Sequence, residues 1–171
     1  MKIFVLSLIF SGLTTLMFAQ NNIAVLTPTN KSLSKKTKSI NNVDYLNAVS
    51  ADNVHALKVQ KLQKVVANYD VKIDKVYNPK INTTYTVEFK EGKNHITAIY
   101  NQEGYLISCQ ENYNAVRLPT DISIKLAKDY PGWEFYNVKC NINYQQNEAS
   151  KIAYQVVLKN GNKLKTVNIK A

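Results

Sequence analysis

Residues 85–92 read YTVEFKEG, and residues 154–161 read YQVVLKNG. In each stretch the first, third and fifth positions are apolar or aromatic, and a glycine closes the run. Apolar residues at every second position place one side of a β-strand against a core, and a polar residue followed by glycine is typical of a hairpin turn. Each stretch therefore predicts the first strand of a β-hairpin, with return strands at 95–100 and 164–169.

A helix is predicted before each hairpin. Apolar residues recur at helical spacing over residues 53–68. Leu118-Pro119-Thr120-Asp121 offers a proline and capping side chains to a second helix, which reaches about residue 129. Residues 43–50 suit either a short helix or a strand, and the sequence does not decide between them.

Further strands are predicted at 71–77, 105–110 and 133–144, so the two halves of the chain follow a similar order of elements. We expect an α+β fold of two tandem modules, each a helix packed on a small antiparallel β-sheet. The modules are predicted at 43–113 and 114–171. Internal duplication explains the echo, and convergence on a common pattern is the alternative.

The first nineteen residues predict a secretory signal peptide. Met1-Lys2 gives a positive start, an apolar run follows, and Ala19 offers a small residue at a cleavage site before Gln20. The rival interpretation is an uncleaved N-terminal anchor. Residues 20–42 are rich in Asn, Thr, Ser and Lys and predict a flexible leader. We expect a periplasmic or secreted protein whose mature chain has no membrane span.

Composition excludes several classes of protein. The chain has 171 residues, with 22 Lys+Arg against 12 Asp+Glu, two Cys and two His. That length excludes a large multidomain enzyme, and two cysteines exclude a disulfide-rich miniprotein. Arg117 is the only arginine, whereas readers of nucleic acid favour arginine for its bidentate fork. We therefore expect no nucleic-acid partner.

The residue patterns predict no catalytic, metal or cofactor site. His55 and His95 lack ligand spacing, and no serine lies in a Gly-x-Ser-x-Gly turn. Asp70 and Asp74 are interpreted as a solvated pair rather than a glycosidase dyad. We expect no cofactor.

Cys109 and Cys140 are the candidate disulfide. An even number of cysteines in an exported protein allows one bond, which would join the two predicted modules. The alternative is a pair of buried free thiols, because Cys140 shares a strand face with Val138 and Ile142.

Eleven tyrosines are available for packing or for binding. Tyr85, Tyr136 and Tyr154 share strand faces with apolar residues, so we expect them in the core or at its rim. Tyr105 and Tyr113 lie near the predicted module junction and are candidate partner contacts, since tyrosine is enriched at protein interfaces.

Tyr85 through Leu118-Pro119 to Tyr130-Pro131-Gly132-Trp133 and Tyr154-Gln155-Val156 resembles the PepSY-like family of small exported bacterial proteins. Some members of that family are described as similar to beta-lactamase inhibitor protein. The first half departs from the pattern, since Tyr69-Asp70 stands where Tyr-Pro-Gly is expected. The apolar leader with its Phe-Ala-Gln end also resembles export signals of Bacteroidetes. The resemblance implies tandem modules and a binding or inhibitory role without catalytic residues.

We therefore expect an exported, non-enzymatic binding module that docks an envelope or secreted protein or peptide, including inhibition or regulation of an envelope enzyme. The alternative is an envelope or surface-associating structural protein held by charge. A secreted hydrolase with an unrecognised site is a third hypothesis.

Overall fold

A computed structural model of the chain describes residues 21–22, 42–49 and 57–171, with only the backbone described at 21–22. The signal-peptide prediction, His55 and most of the predicted leader lie outside the described residues. The elements in chain order are β1 (Asn21–Asn22), α1 (Val43–Val49), α2 (Leu57–Ala67), a 3-10 turn (Val71–Ile73), β2 (Tyr85–Glu91), β3 (Asn94–Tyr100), β4 (Leu106–Asn114), α3 (Thr120–Asp129), β5 (Glu134–Gln145), β6 (Lys151–Asn160) and β7 (Lys163–Lys170).

The strands form one sheet in the order of the sequence, β1 to β7. The two residues of β1 pair with β2 in parallel, and every later neighbour is antiparallel. Two-residue loops at Gly92–Lys93 and Gly161–Asn162 close the predicted hairpins. Both glycines have φ near +60°, which the tight turn requires and which side chains with a Cβ disfavour.

The prediction of two tandem helix-on-sheet modules is wrong. Strand β4 pairs with β5 over seven residues, from Ser108 opposite Gln145 to Asn114 opposite Lys139. The predicted boundary between residues 113 and 114 falls inside β4. The third strand of the first half would otherwise expose a row of unpaired N–H and C=O groups, and the first strand of the second half satisfies them.

Helices α1, α2 and α3 all contribute to the core on a single face of this sheet. Tyr45 of α1, Val66 of α2 and Leu126 of α3 are buried in one apolar cluster together with Val87 and the other core side chains of the sheet. The aromatic ring of Tyr45 meets that of Tyr144 on β5 edge-on, with 5.2 Å between centroids. The opposite face of the sheet, which we call the open face, carries mainly Thr, Asn, Gln and Lys.

One local prediction is wrong, and the structure decides one alternative that the sequence left open. Residues 71–77 do not form a strand: Asp70 accepts a hydrogen bond from the Lys72 N–H and starts a 3-10 turn instead. Local capping by a short acidic side chain competes with extended structure. Residues 43–49, which the sequence left open, form helix α1.

Asn42 fixes the start of α1 against two other parts of the fold. Its Oδ1 accepts a hydrogen bond from the Leu106 N–H at 2.7 Å, and its Nδ2 donates to the Ala67 carbonyl at 3.2 Å. One buried side chain therefore joins α1 to the end of α2 and to the start of β4.

We predict that Ile142→Ala lowers the free energy of unfolding by about 2–5 kcal/mol, because it opens a cavity at a fully buried position of β5. Thermal and urea unfolding followed by circular dichroism should still show a single transition, since one core serves the whole sheet. Asn143→Ala, on the exposed face one residue away, is the control and should change stability by less than about 0.5 kcal/mol. Two separate transitions would contradict the single-sheet fold.

Candidate functional site

The structure does not bring the two cysteines together. Cys109 lies opposite Tyr144 and Cys140 lies opposite Tyr113, so the cysteines stand four residues apart along the β4–β5 ladder. At roughly 3.3 Å per residue this separates them by about 13 Å, whereas a disulfide needs Cα atoms within about 7 Å. Both cysteines are buried free thiols, so the structure agrees with the alternative interpretation and not with the candidate disulfide.

The two candidate contact tyrosines have different surroundings. Tyr105 is 55% exposed just before β4 and is free to meet a partner with its ring. Tyr113 is only 1% exposed, and its hydroxyl donates a 2.6 Å hydrogen bond to Glu111 Oε2. The prediction of a partner contact at Tyr113 is therefore corrected, because its side chain lies inside the core.

Tyr113 belongs to a buried polar group centred on Glu111, which we call the Glu111 cluster. Oε1 accepts hydrogen bonds from the Tyr45 hydroxyl at 2.8 Å and from the Cys109 thiol at 3.5 Å. Oε2 accepts from Gln63 Nε2 at 2.8 Å as well as from Tyr113. The cluster therefore ties α1 and α2 to β4 through a single carboxyl group.

Burial raises the pKa of the Glu111 carboxyl above its ordinary value, and the hydrogen bonds from Tyr113, Gln63 and Tyr45 act in the opposite direction. Burial, followed by the charge of Glu111, raises the pKa values of Tyr45 and Tyr113 well above the usual tyrosine range. Since Glu111 is only 1% exposed, the cluster has the character of a structural network.

Sequence reasoning missed Glu111 because it ended the strand at residue 110. The signal was present in the order Cys109, Glu111, Tyr113, where a glutamate takes an inward position between two residues that suit a core. If the predicted strand had been extended by four residues, the alternation would have placed the Glu111 carboxylate in the core.

The other polar candidates have structural partners. Asp74 accepts hydrogen bonds from the Tyr69 hydroxyl at 2.8 and 2.9 Å, which explains its position better than a catalytic pair with Asp70. His95 lies on the open face of the sheet, with its Nε2 3.0 Å from Asn112 Nδ2. Among the described residues no group of three His, Cys, Asp or Glu is arranged to hold a metal ion.

The open face of the sheet is a surface of amide side chains. Gln110 faces Asn143 and Asn112 faces Asn141 across the β4–β5 ladder. Gln155 on β6 donates a 3.4 Å hydrogen bond to Asn168 on β7. These amide side chains are polar and offer no large apolar anchor.

A groove of about 480 Å³ lies where β5 begins, and we call it the β5 groove. Residues 115–118, residues 135–138 and Ser123 of α3 line it. The pairing of β4 with β5 ends at Asn114 and Lys139. Beyond it, the Val116 N–H donates one more hydrogen bond to the Val138 carbonyl, at 3.2 Å. The chain then departs from β5, which opens the groove.

Two backbone irregularities shape this groove. Ala115 has φ +51°, in the left-handed region that residues with a Cβ rarely adopt. On the other wall, the β5–β6 pairing shifts between Phe135 and Asn137, so Tyr136 is the extra residue of a β-bulge. Bulges redirect side chains and occur often beside functional sites.

The bulge overturns the expectation that Tyr136 is a core or rim residue. Tyr136 is 63% exposed and Phe135 is 43% exposed, although Val138 on the same strand is buried. The Lys159 ammonium lies 5.5 Å from the centre of the Tyr136 ring, within range of a cation–π contact. Strand alternation alone could not reveal this exposure, because it assumes an unbroken register.

Arg117 completes the β5 groove with an exposed guanidinium. Neither of the two ion pairs found among the described residues involves it. Tyrosine and arginine are among the residue types that most often dominate binding energy at protein interfaces. The groove therefore combines one cation with two accessible aromatic rings.

No protein-family model, curated protein or solved structure matches this chain. In the part of the chain that the structure describes, every helix is too short or too polar to cross a membrane.

We predict that the stability of the protein falls as pH rises from about 4.5 towards the higher pKa of folded Glu111. The folded state binds the proton more tightly than the unfolded state, so its stabilisation is complete below the unfolded pKa and is lost as pH passes the folded value. Glu111→Gln should remove this part of the pH dependence in urea unfolding measured at a series of pH values. The Gln63 amide can turn over to match the new side chain.

Glu148→Gln is the matched control, because Glu148 is exposed. Glu111→Ala should instead cost at least about 2 kcal/mol at all pH values, since it leaves Tyr45, Gln63 and Tyr113 without their acceptor. An unchanged pH profile in Glu111→Gln would contradict the raised pKa.

We predict that both thiols resist a disulfide-exchange reagent in the folded protein. Burial raises the pKa of Cys140 to about 12 and that of Cys109 further still, so little thiolate is present at neutral pH. Two thiols per chain should react once the protein is unfolded in denaturant. Fewer than two under those conditions, restored by a reductant, would show that a disulfide forms.

Proposed function

We propose that this protein is an exported, non-enzymatic binding module that docks a protein or peptide in the β5 groove. The observation that carries the proposal is the exposure of Tyr136 and Phe135 beside Arg117 at a bulged strand. Export rests on the signal peptide predicted at residues 1–19. The resemblance to the PepSY-like family is in keeping with a binding role.

The groove is suited to a partner that brings both an apolar side chain and a carboxylate. The aromatic rings offer rigid contact area at a small entropic cost, and a guanidinium can hold a carboxylate with two hydrogen bonds. Inhibition or regulation of an envelope enzyme would follow if the bound segment belongs to such an enzyme.

We predict that Tyr136→Ala and Arg117→Ala each weaken binding of the natural partner by about 30-fold or more, which corresponds to about 2 kcal/mol. The partner is first captured from the envelope and culture fluid of the source organism on immobilised residues 20–171 at low and high salt. Its dissociation constant is then measured for the wild type and for both variants. Tyr105→Ala and Lys125→Ala, which alter exposed residues outside the groove, are the controls.

Loss of binding in Tyr105→Ala alone would move the docking site to the start of β4. Recovery of only anionic material that washes off with salt would favour the alternative of charge-driven envelope association. Deleting residues 20–41, which keeps the buried Asn42, would then abolish the association, whereas it should spare binding in the β5 groove.

A further inference from the structure

The last strand of the sheet offers a second surface, separate from the β5 groove. Strand β7 pairs with β6 over eight residues, from Lys163 opposite Asn160 to Lys170 opposite Ala153. No strand of the described residues pairs with its other side. The N–H and C=O groups on that side can therefore receive another extended chain.

The side chains of β7 divide its helix-bearing face into two parts. Val167 and Ile169 are half-buried and pack against the core cluster, opposite Val156 and Tyr154. Lys163 and Lys165 occupy the same face nearer the hairpin, and the Lys165 ammonium lies 4.6 Å from the centre of the Tyr130 ring. One half of the edge is thus apolar and the other half is basic.

No ion pair among the described residues involves the lysines of β5 to β7. Strands β5 to β7 carry six lysines and one glutamate, Glu134. The two ion pairs among the described residues join Lys61 to Glu91 and Lys90 to Glu88, at the other side of the sheet. A chain that adds to β7 therefore gains from carrying acidic residues.

We infer that β7 accepts an extended, acidic segment of a partner protein as an additional antiparallel strand. Antiparallel addition is the more stable of the two directions. The segment would place apolar residues opposite Ile169 and Val167 and acidic residues opposite Lys165 and Lys163. In the partner's own direction the pattern is apolar-x-apolar-x-acidic-x-acidic.

Charge disfavours the other occupants. A second copy of this chain would bring another β7, which has three lysines and no acidic residue. Residues 23–41 of the chain itself contain four lysines and no Asp or Glu. Lysines on an edge strand are a known means of preventing pairing between copies.

The test uses the chain from residue 20 to 171 and three labelled peptides, with binding followed by fluorescence anisotropy at low salt. The first peptide is acetyl-VTVTETET-amide, the second replaces both glutamates with lysine, and the third replaces every threonine with proline. Proline keeps the charge of the first peptide but cannot supply the backbone donors of a ladder. We expect the first peptide to bind at least about tenfold more tightly than either of the others.

Lys163→Glu/Lys165→Glu should reverse the preference, so that the lysine peptide binds more tightly than the glutamate peptide. The control Lys139→Glu/Lys151→Glu makes the same change of charge on the open face and should leave the preference as it is. Circular dichroism verifies that both variants are folded. Hydrogen exchange should show new protection of β7 amides only with the first peptide.

Equal binding of the proline peptide would overturn strand addition, because charge alone would then explain the affinity. Absence of binding up to about 1 mM of the first peptide would overturn the inference as a whole. Tyr136→Ala and Arg117→Ala should not affect any of these peptides, so failure here and failure of the β5 groove are distinguishable. Concentration-dependent dimerisation through β7 would favour a second copy instead.

Discussion

One buried carboxyl group determines how the helices meet the sheet. Glu111 on β4 lies inside the core, no cation of the described residues forms an ion pair with it, and its oxygens accept hydrogen bonds from Tyr45, Gln63, Tyr113 and Cys109. A buried carboxyl is costly unless such donors surround it. Helices α1 and α2 must therefore dock where Tyr45 and Gln63 reach Glu111, and this requirement fixes their position over the middle of the sheet.

The helices leave three other parts of the sheet accessible once they occupy that face. The open face carries amide side chains, the outer side of β7 pairs with no strand of the described residues, and the start of β5 borders a groove. Only the groove combines exposed aromatic rings with a guanidinium. The β7 edge relies instead on backbone hydrogen bonds and lysine charge. The two surfaces thus suit partner segments of different chemistry.

Local patterns predicted most of the strands but not their assembly. The alternation in Tyr85, Val87 and Phe89 describes an observed buried face, and the glycine turns are in place. The pattern in β4 failed beyond residue 110, because Glu111 has the polarity of a surface residue and the position of a core residue. Tyr136 failed in the opposite sense: a bulge interrupts the alternation and exposes an aromatic ring. Both errors arise because the polarity of a residue was used to assign its side chain to the core or the surface, whereas the register of the strand decides which face the side chain takes.

The sequence by itself determined most of the local elements: helices α2 and α3, the alternating strands and the two glycine-closed hairpins, since each depends on spacing within a few residues. Only the tertiary structure decided that β4 and β5 join both halves into one sheet, because strand pairing connects residues that are distant along the chain. The same holds for the separation of Cys109 from Cys140 and for the β5 groove. These features arise from register between strands, which no single stretch of sequence contains.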